Sequence, residues 1–280
     1  MSRSKRAGPT TAESLREYGR GIGGGFLVSL PLILTMEVWE VGLTISPARL
    51  LAGLAATFVL LCGYNAYAGL HHESKAGEIL VDSVEELGIG LTLSAIILLA
   101  LGRLSAVDRL SEALGLVLVE GLFVAVGVSV GTAQLSNGGE QQRGGSKGRH
   151  ETISSEVVLA LCGAVLIAAN VAPTEEILVL ASSLHPPALL TLIALSMMLT
   201  ATLLYFSNFT GSARFAGTRG VFGVVHGTAI TYAAALFASG ALLWFFGRFD
   251  DHALAMNAAQ CVVLGLAACL GAAAGRLLLK

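Results

Sequence analysis

Long apolar runs separated by short polar segments make up nearly the whole chain. They form two sets of four, at about 21–45, 48–70, 84–104 and 112–134, and at about 154–184, 187–208, 219–247 and 253–278. A helix needs roughly 20 consecutive apolar residues to cross a bilayer. The pattern therefore predicts an all-α membrane protein with eight transmembrane helices.

The polar segments predict the domain boundaries. Residues 1–20 form a charged tail, and residues 135–153 include SNGGEQQRGGSKGR, which is too polar and glycine-rich to be buried. We expect a cytoplasmic N-terminal tail at 1–20 and a flexible cytoplasmic linker at 135–153. The linker would separate a first four-helix unit at 21–134 from a second at 154–280.

The two units resemble each other in sequence. With a shift of 139 residues, Thr35-Met36-Glu37 aligns with Thr174-Glu175-Glu176, and Gly24 aligns with Gly163. With a shift of 144 residues, Gly127 and Gly131 align with Gly271 and Gly275. Because four spans is an even number, both units would enter the membrane in the same direction. We expect two parallel four-helix repeats, related by a pseudo-twofold axis along the membrane normal.

Composition supports a membrane protein and excludes several classes of function. The chain is 54% hydrophobic and 13% charged, with a mean hydropathy of +0.75, whereas a soluble domain has about 25% charged residues. The expected partners are the lipid bilayer and a small cation or proton. No basic patch indicates nucleic-acid binding, and no motif indicates a cofactor or a cysteine–histidine metal site. The sequence leaves the oligomeric state open.

The basic residues predict the orientation. With a cytoplasmic N-terminus, thirteen Lys and Arg residues lie in inside segments, and only Arg49, Arg103, Arg109 and Arg248 lie outside. This bias follows the positive-inside rule. We therefore expect a multi-pass protein of the inner membrane with both termini in the cytoplasm.

The first predicted span of each unit combines proline, threonine and glutamate. The first reads SLPLILTMEVWE and the second AANVAPTEEILVL. Proline frees the carbonyl four residues earlier, and a charged side chain inside a span is functional by default. Glu37 and Glu176 are repeat partners, so the pseudo-twofold axis would place them at matching depth, where two carboxylates could share a proton or a cation. The structural alternative is a protonated Glu that only hydrogen-bonds a neighbouring helix.

Further polar residues extend this candidate site. The expected ion- or proton-binding set is Glu37, Glu176, Glu175, Glu40, Thr35, Thr174 and Asn170. His226 and Glu120 are candidate proton relays, although Glu120 aligns with Leu264 and would act in one unit only. We interpret Tyr64, Asn65 and Tyr67 as interfacial anchors. We interpret Asp82, Glu85 and Glu86 as a solvated acidic rim or a cation-attracting vestibule.

One enzyme family offers a partial match. Glu175-Glu176 followed by Phe222-x-x-x-His226 resembles part of the glutamate-type intramembrane protease pattern, in which a Glu pair and histidines activate water. That family's EExxxR motif requires Arg where this chain has Leu180. The match also covers only the second half of the chain.

A second resemblance covers nearly the whole chain. The run from Tyr18 to Gly25 (YGRGIGGG), the motif LPLILTMEVW at 30–39 and the motif NVAPTEEI at 170–177 resemble an uncharacterised family of bacterial integral membrane proteins. That family is catalogued only as a domain of unknown function. The resemblance implies a polytopic inner-membrane protein, but it carries over no activity, substrate or catalytic residue.

Together these patterns favour a secondary transporter or carrier of a small cation, with protons as a coupling ion. Two alternatives stay open from the sequence. One is a membrane-embedded hydrolase that uses Glu175, Glu176 and His226, and the other is a membrane scaffold or sensor without transport.

Overall fold

A computed structural model describes residues 11–68, 76–140, 153–211 and 220–278 of the chain. All regular structure in these ranges is helical. The helices are α1 Thr11–Ile33, α2 Met36–Thr44, α3 Pro47–Ala68, α4 Ala76–Ala100, α5 Leu110–Glu140, α6 Ile153–Ala168, α7 Glu176–Ser183, α8 Pro186–Gly211, α9 Gly220–Phe245 and α10 Leu254–Leu278, with a short 3₁₀ turn at Leu104–Ala106.

Within the described residues, six helices are long and apolar enough to cross a membrane. They are α3, α4, α5, α8, α9 and α10. The other two predicted spans, 21–45 and 154–184, are each divided into two helices, α1–α2 and α6–α7. Eight continuous spanning helices are therefore not observed. Proline is the physical reason, because Pro31 lies in the last turns of α1 and Pro173 lies between α6 and α7.

Side chains near each break hydrogen-bond carbonyls that the interrupted helix leaves without a backbone donor. At the first break, Thr35 Oγ1 donates to the carbonyl of Pro31 at 2.7 Å, and Trp39 Nε1 donates to the carbonyl of Ile33 at 2.8 Å. At the second, Asn170 Nδ2 donates to the carbonyl of Leu166 at 2.8 Å. Backbone groups inside a bilayer must find such partners within the protein.

Each half of the chain is built around one central helix. In the first half, α5 packs against α1, α2, α3 and α4. In the second half, α10 packs against α6, α7, α8 and α9. The same order of elements therefore occurs twice: a broken helix, two long helices, and a central helix that contacts all of them.

The glycines aligned by the sequence shifts make equivalent contacts in the two halves. A Cβ atom on Gly24 would lie 2.3 Å from the Cα of Gly131. A Cβ atom on Gly163 would lie 2.7 Å from the Cα of Gly275 and 2.1 Å from the carbonyl oxygen of Gly271. These glycines thus let α1 approach α5, and α6 approach α10, almost backbone to backbone.

The helices α4 and α9 also end in the same way. Gly102 and Gly247 have φ values of +73° and +74°, and each is followed by an arginine. The backbone N–H of Arg103 donates to the carbonyl of Leu98 at 2.9 Å, and that of Arg248 to Leu243 at 2.8 Å. This is the Schellman arrangement, in which glycine adopts the left-handed conformation that ends a helix.

The two halves meet mainly through α3 and α6. Tyr67 Oη donates to Ser154 Oγ at 2.9 Å, and the position of Gly63 faces the side chain of Val158. A twofold axis would require the equivalent contact between α8 and α1. Within the described residues α8 makes no comparable contact with α1, so the halves meet through unlike surfaces.

Two helices extend into the predicted tail and linker. Residues 11–20 belong to the continuous helix α1, and α5 extends to Glu140, six residues into the predicted linker 135–153. The rest of the tail, 1–10, and most of the linker, 141–152, lie outside the described residues.

Candidate functional site

Glu120 is the carboxylate buried most completely among the described residues. It lies in α5, where every residue from 119 to 131 is buried, and its own exposure is 1%. Neither carboxylate oxygen has a hydrogen-bond partner. The Trp39 indole on α2 and the Ser94 hydroxyl on α4 lie near the carboxylate, but each donates its one hydrogen to a backbone carbonyl. A carboxylate inside a membrane-spanning helix is costly and is functional by default.

The surroundings of Glu120 connect it to the first helix break. Trp39 donates from its indole N–H to Ile33, the last residue of α1, and its ring is covered by the guanidinium of Arg103 at 3.7 Å from the ring centroid. This cation–π contact holds the short helix α2 against the end of α4. Ser94 Oγ donates to the carbonyl of Val117 at 3.3 Å and so joins α4 to α5.

The predicted residues of the first break lie around the N-terminus of α2. Thr35 is the residue before the helix, and Glu37 lies in its first turn and is partly exposed. Glu40 is exposed on the next turn. The hydroxyl of Thr35 is occupied by the carbonyl of Pro31.

The predicted residues of the second break lie around the N-terminus of α7. Glu175 and Glu176 are both exposed, and Glu176 is the first residue of the helix. The Glu176 carboxylate lies beside the Thr174 hydroxyl and within electrostatic reach of Arg248. Arg248 is the counterpart of Arg103, so in each half the arginine after the Schellman glycine reaches toward the short helix.

Glu37 and Glu176 occupy equivalent elements, but their helices pack against different partners. Helix α2 packs on α5, whereas α7 packs on α10. No contact between the two carboxylates is seen in the described part of the chain. That they share one proton or cation stays a prediction.

His226 lies away from the glutamate pair. It is exposed in the second turn of α9, whereas Glu175 and Glu176 follow the break at the far end of α6. Helix α7 packs on α10. The described residues therefore do not bring together the Glu, Glu and His set that the hydrolase interpretation requires.

Asn170 lines a small cavity between the two halves. The cavity also contacts Ser29 on α1 and Phe123 on α5, and the volume open to the centre of a water molecule is about 10 Å³. This is room for about one water molecule. The cavity is lined by the last two turns of α1 and by the end of α6 and the first residues of the second break, so it lies beside both interrupted helices.

A buried polar cluster that the sequence did not predict lies between α3, α4 and α5. Asn65 Nδ2 donates to Glu86 Oε2 at 2.8 Å and to Ser83 Oγ at 3.1 Å, and Ser129 Oγ donates to Asn65 Oδ1 at 3.5 Å. The exposure of Glu86 is 9% and that of Asn65 is 8%.

This cluster corrects two of our interpretations. Asn65, like Tyr64, is buried between helices and is not an interfacial anchor, and Glu86 is not part of a solvated rim. Helix geometry places Ser83 and Glu86, three residues apart, on one face of α4, but only packing shows that this face is buried. Glu85, on another face, is exposed as predicted.

The second half contains a largely buried ion pair. Arg276 on α10 lies 3.1 Å from the carboxylate of Glu156 on α6. Arg276 also donates to Thr231 Oγ1 at 2.6 Å and to the carbonyl of Gly227 at 2.8 Å, both on α9. All of these contacts join helices within the second half, so the pair has a clear structural role.

A second ion pair joins the halves at the opposite end of the bundle. Arg49 at the start of α3 donates two hydrogen bonds to Asp250, in the loop after α9, at 2.7 and 2.5 Å. These bonds lower the pKa of the Asp250 carboxyl below its ordinary value.

All four cysteines, Cys62, Cys162, Cys261 and Cys269, are free. Within the described residues, no group of three or more His, Cys, Asp or Glu side chains is arranged to hold a metal ion.

Comparison with known proteins identifies a family but not an activity. No curated protein and no solved structure matches the chain. The model of one family matches residues 17–279, which include both helix breaks and the buried glutamates. The chain therefore belongs to the family described as "Putative integral membrane protein (DUF2391)".

Proposed function

We propose that the protein is a carrier that moves protons or a small cation across the membrane and that Glu120 is its central binding group. Burial of Glu120 without a hydrogen-bond partner is the observation that supports this most strongly. An isolated buried carboxylate must take up a proton or bind a cation, because its bare charge is too costly in an apolar interior. Ion pathways through membranes are where such residues are usually found.

The broken helices supply a second line of support. Carriers commonly bind ions where a spanning helix is interrupted near the middle of the bilayer. Here Trp39 extends from the first break to the neighbourhood of Glu120. In this proposal Glu37 and Glu176, in the first turns of α2 and α7, bind the ion on its way to or from the centre. Thr35, Thr174, Glu175, Glu40 and Asn170 assist them.

We further propose that the chain crosses the membrane eight times, as two parallel repeats of four crossings. The two broken segments, α1–α2 and α6–α7, would each make one crossing. The paired contacts of Gly24 with Gly131 and of Gly163 with Gly275 support this, as does the common ending of α4 and α9. The central helices α5 and α10 differ at Glu120 and Leu264, so only the first half would supply the central binding group.

The proposal is tested by measuring proton release on cation binding. Cation binding favours the ionised carboxylate, so adding a bound cation to purified protein in weak buffer should release protons. Glu120→Gln should abolish the release and also abolish cation-driven proton flux in proteoliposomes. Glu112→Gln, on the same helix two turns earlier and partly exposed, is the matched control and should leave both signals unchanged.

The alternatives predict different results. A hydrolase would lose all activity in His226→Ala and would show no cation-linked proton release. A scaffold would show neither proton release nor flux with any common monovalent or divalent cation. Either result, or normal flux in Glu120→Gln, would refute the carrier proposal.

A further inference from the structure

The cluster around Glu86 lies where the two halves of the chain meet. Tyr64, next to Asn65, packs in one apolar cluster with Leu159 and Cys162 of α6. The charge of Glu86 also reaches Cys162. This is the same contact between α3 and α6 that carries the Tyr67–Ser154 hydrogen bond. A change of charge at Glu86 would therefore change the electrostatic field at the contact between α3 and α6, where the halves meet.

Nothing in the described residues neutralises the ionised form of Glu86. No Lys, Arg or His in that part of the chain forms an ion pair with it. The charges on its own helix that reach it are those of Asp82 and Glu85, which have the same sign. The remaining titratable neighbours are Tyr64 on α3 and Cys162 on α6. Glu86 is therefore set to exchange a proton and is not built as half of an ion pair.

The hydrogen-bonding groups fit a proton better than a metal ion. Asn65 points its amide N–H groups at Glu86 and Ser83, so a donor occupies the position in which a cation would have to sit. The Ser129 hydroxyl lies within reach of both Asn65 Oδ1 and the Glu86 carboxylate. Its single hydrogen can point to either acceptor.

We propose that Glu86, Asn65 and Ser129 form a second proton-binding site of the protein, at the contact between its two halves. When Glu86 is ionised, Ser129 and Asn65 both donate to the carboxylate. When a hydronium ion gives a proton to Glu86, one of its O–H bonds breaks, an O–H bond forms on the carboxylate, and a water molecule is left. Glu86 then donates to Ser129 Oγ, and Ser129 turns to donate to Asn65 Oδ1. Rotation of one hydroxyl accommodates both states without an unpaired hydrogen.

Helix α4 itself provides a route for the proton. Asp82 lies four residues before Glu86, on the same face of the helix, and is partly exposed. Proton exchange at Glu86 does not depend on the carrier proposal, but a role for it in transport rests on that proposal. In transport, Glu86 would hold a proton on its way to or from Glu120.

Infrared spectroscopy of the full-length protein in lipid nanodiscs tests this site at equilibrium. A protonated buried carboxyl has a C=O band that disappears as it ionises, so the wild type should show such a band changing with pH. Glu86→Gln should remove that band. Glu85→Gln, an exposed neighbour on the same helix, should retain it, and Glu120→Gln should remove a different band.

Substitution of Ser129 gives a second test, which retains the Glu86 carboxyl. Ser129→Ala removes a hydrogen bond that is stronger to the ionised carboxylate than to its protonated form, so the Glu86 band should titrate at a pH higher than the wild-type value by about one unit. This variant keeps the test open if Glu86→Gln does not fold. An unchanged titration in Ser129→Ala, or loss of the same band in Glu85→Gln, would overturn the proposal.

Flux measurements separate the two proposals. If the band belongs to Glu86 but no cation or proton flux is found, the proton site stands and the carrier proposal fails. If flux is found but Glu86→Gln leaves the spectrum unchanged, the carrier proposal stands and the proton site at Glu86 is refuted.

Discussion

Gly163 packs so tightly against Gly275 that a Cβ atom on Gly163 would lie 2.7 Å from the Cα of Gly275. The aligned pair in the first half, Gly24 and Gly131, approaches even more closely. In both halves, a close contact between glycines thus holds the broken helix against the central helix, at a position that precedes the break in the chain. The break, and the polar groups around it, therefore rest on a close helix pair in each half.

We predict that Gly163→Ala and Gly24→Ala destabilise the protein by similar amounts. The added methyl group would meet backbone atoms at 2.1 Å and 2.3 Å, and overpacking of this kind typically costs about 1–3 kcal/mol. Thermal unfolding of the purified protein in detergent measures the loss. Gly88→Ala is the matched control, because a Cβ atom there meets nothing within 4 Å. Loss in one half only would count against equivalent repeats.

The topology prediction concerns the number of crossings. Reporter fusions near Gly145 and at Lys280 should both report the cytoplasm, because basic residues concentrate in those segments. A fusion in the loop between Ser182 and Pro187 should report the opposite side. Opposite signals from Gly145 and Lys280 would mean an odd number of crossings in the second half, and parallel repeats of four crossings would then be impossible.

The glutamates of the two breaks are predicted to act as one unit. If Glu37 and Glu176 bind the same ion, Glu37→Gln and Glu176→Gln should each abolish flux in proteoliposomes. The double variant should then be no worse than either single variant. Glu40→Gln should be milder, since Glu40 is exposed and has no glutamate partner in the second half. Partial and additive losses would instead show two independent groups.

Much of the fold follows from the sequence. The apolar runs predict the six long helices, and the aligned glycines indicate the tight contacts of α1 with α5 and of α6 with α10. Pro31 and Pro173 indicate where the first span of each half is disturbed. The sequence does not show that the disturbance is a full break, because that depends on partners such as Trp39, whose N–H replaces a lost backbone donor.

The site was predicted less completely, for a physical reason. In an apolar chain a polar residue near the end of a run can face lipid headgroups, water or another helix, and only packing decides among them. Asn65 and Glu86 pack against each other, while Glu85 faces outward. Likewise, the relation of Glu37 to Glu176 depends on how the halves dock. They dock through α3 and α6 without the matching contact of α8 with α1.

The Arg49–Asp250 pair predicts a small loss of stability at acid pH. Since the pKa of Asp250 is lowered in the folded protein, the pair stabilises the fold above the unfolded-state value of ~3.9 and stops doing so as the pH falls through the folded-state value. The effect should not exceed about 1 kcal/mol, because the Asp250 side chain is 52% exposed. Asp250→Asn should lower the thermal midpoint at neutral pH and match the wild type in strong acid. Equal differences at both pH values would contradict this assignment.

For the buried pair of Arg276 and Glu156, removing one partner should cost more stability than removing both. Glu156→Leu or Arg276→Met alone leaves an unpaired charge among α6, α9 and α10, and loss of one partner of a buried pair typically costs about 3–5 kcal/mol. The double variant Glu156→Leu/Arg276→Met removes both charges and should recover most of that stability. In the double variant the carbonyl of Gly227 still has a hydrogen-bond donor, because Thr231 Oγ1 donates to it at 2.7 Å.

Thermal unfolding in detergent compares the two singles, the double and Arg109→Gln as control. Arg109 is 79% exposed and lies 3.6 Å from Glu112, so its removal should change the midpoint little. A double variant as unstable as the sum of the singles would show that Arg276 and Glu156 stabilise the fold separately. In that case the contacts of Arg276 with α9, and not its charge pair with α6, would hold the second half together.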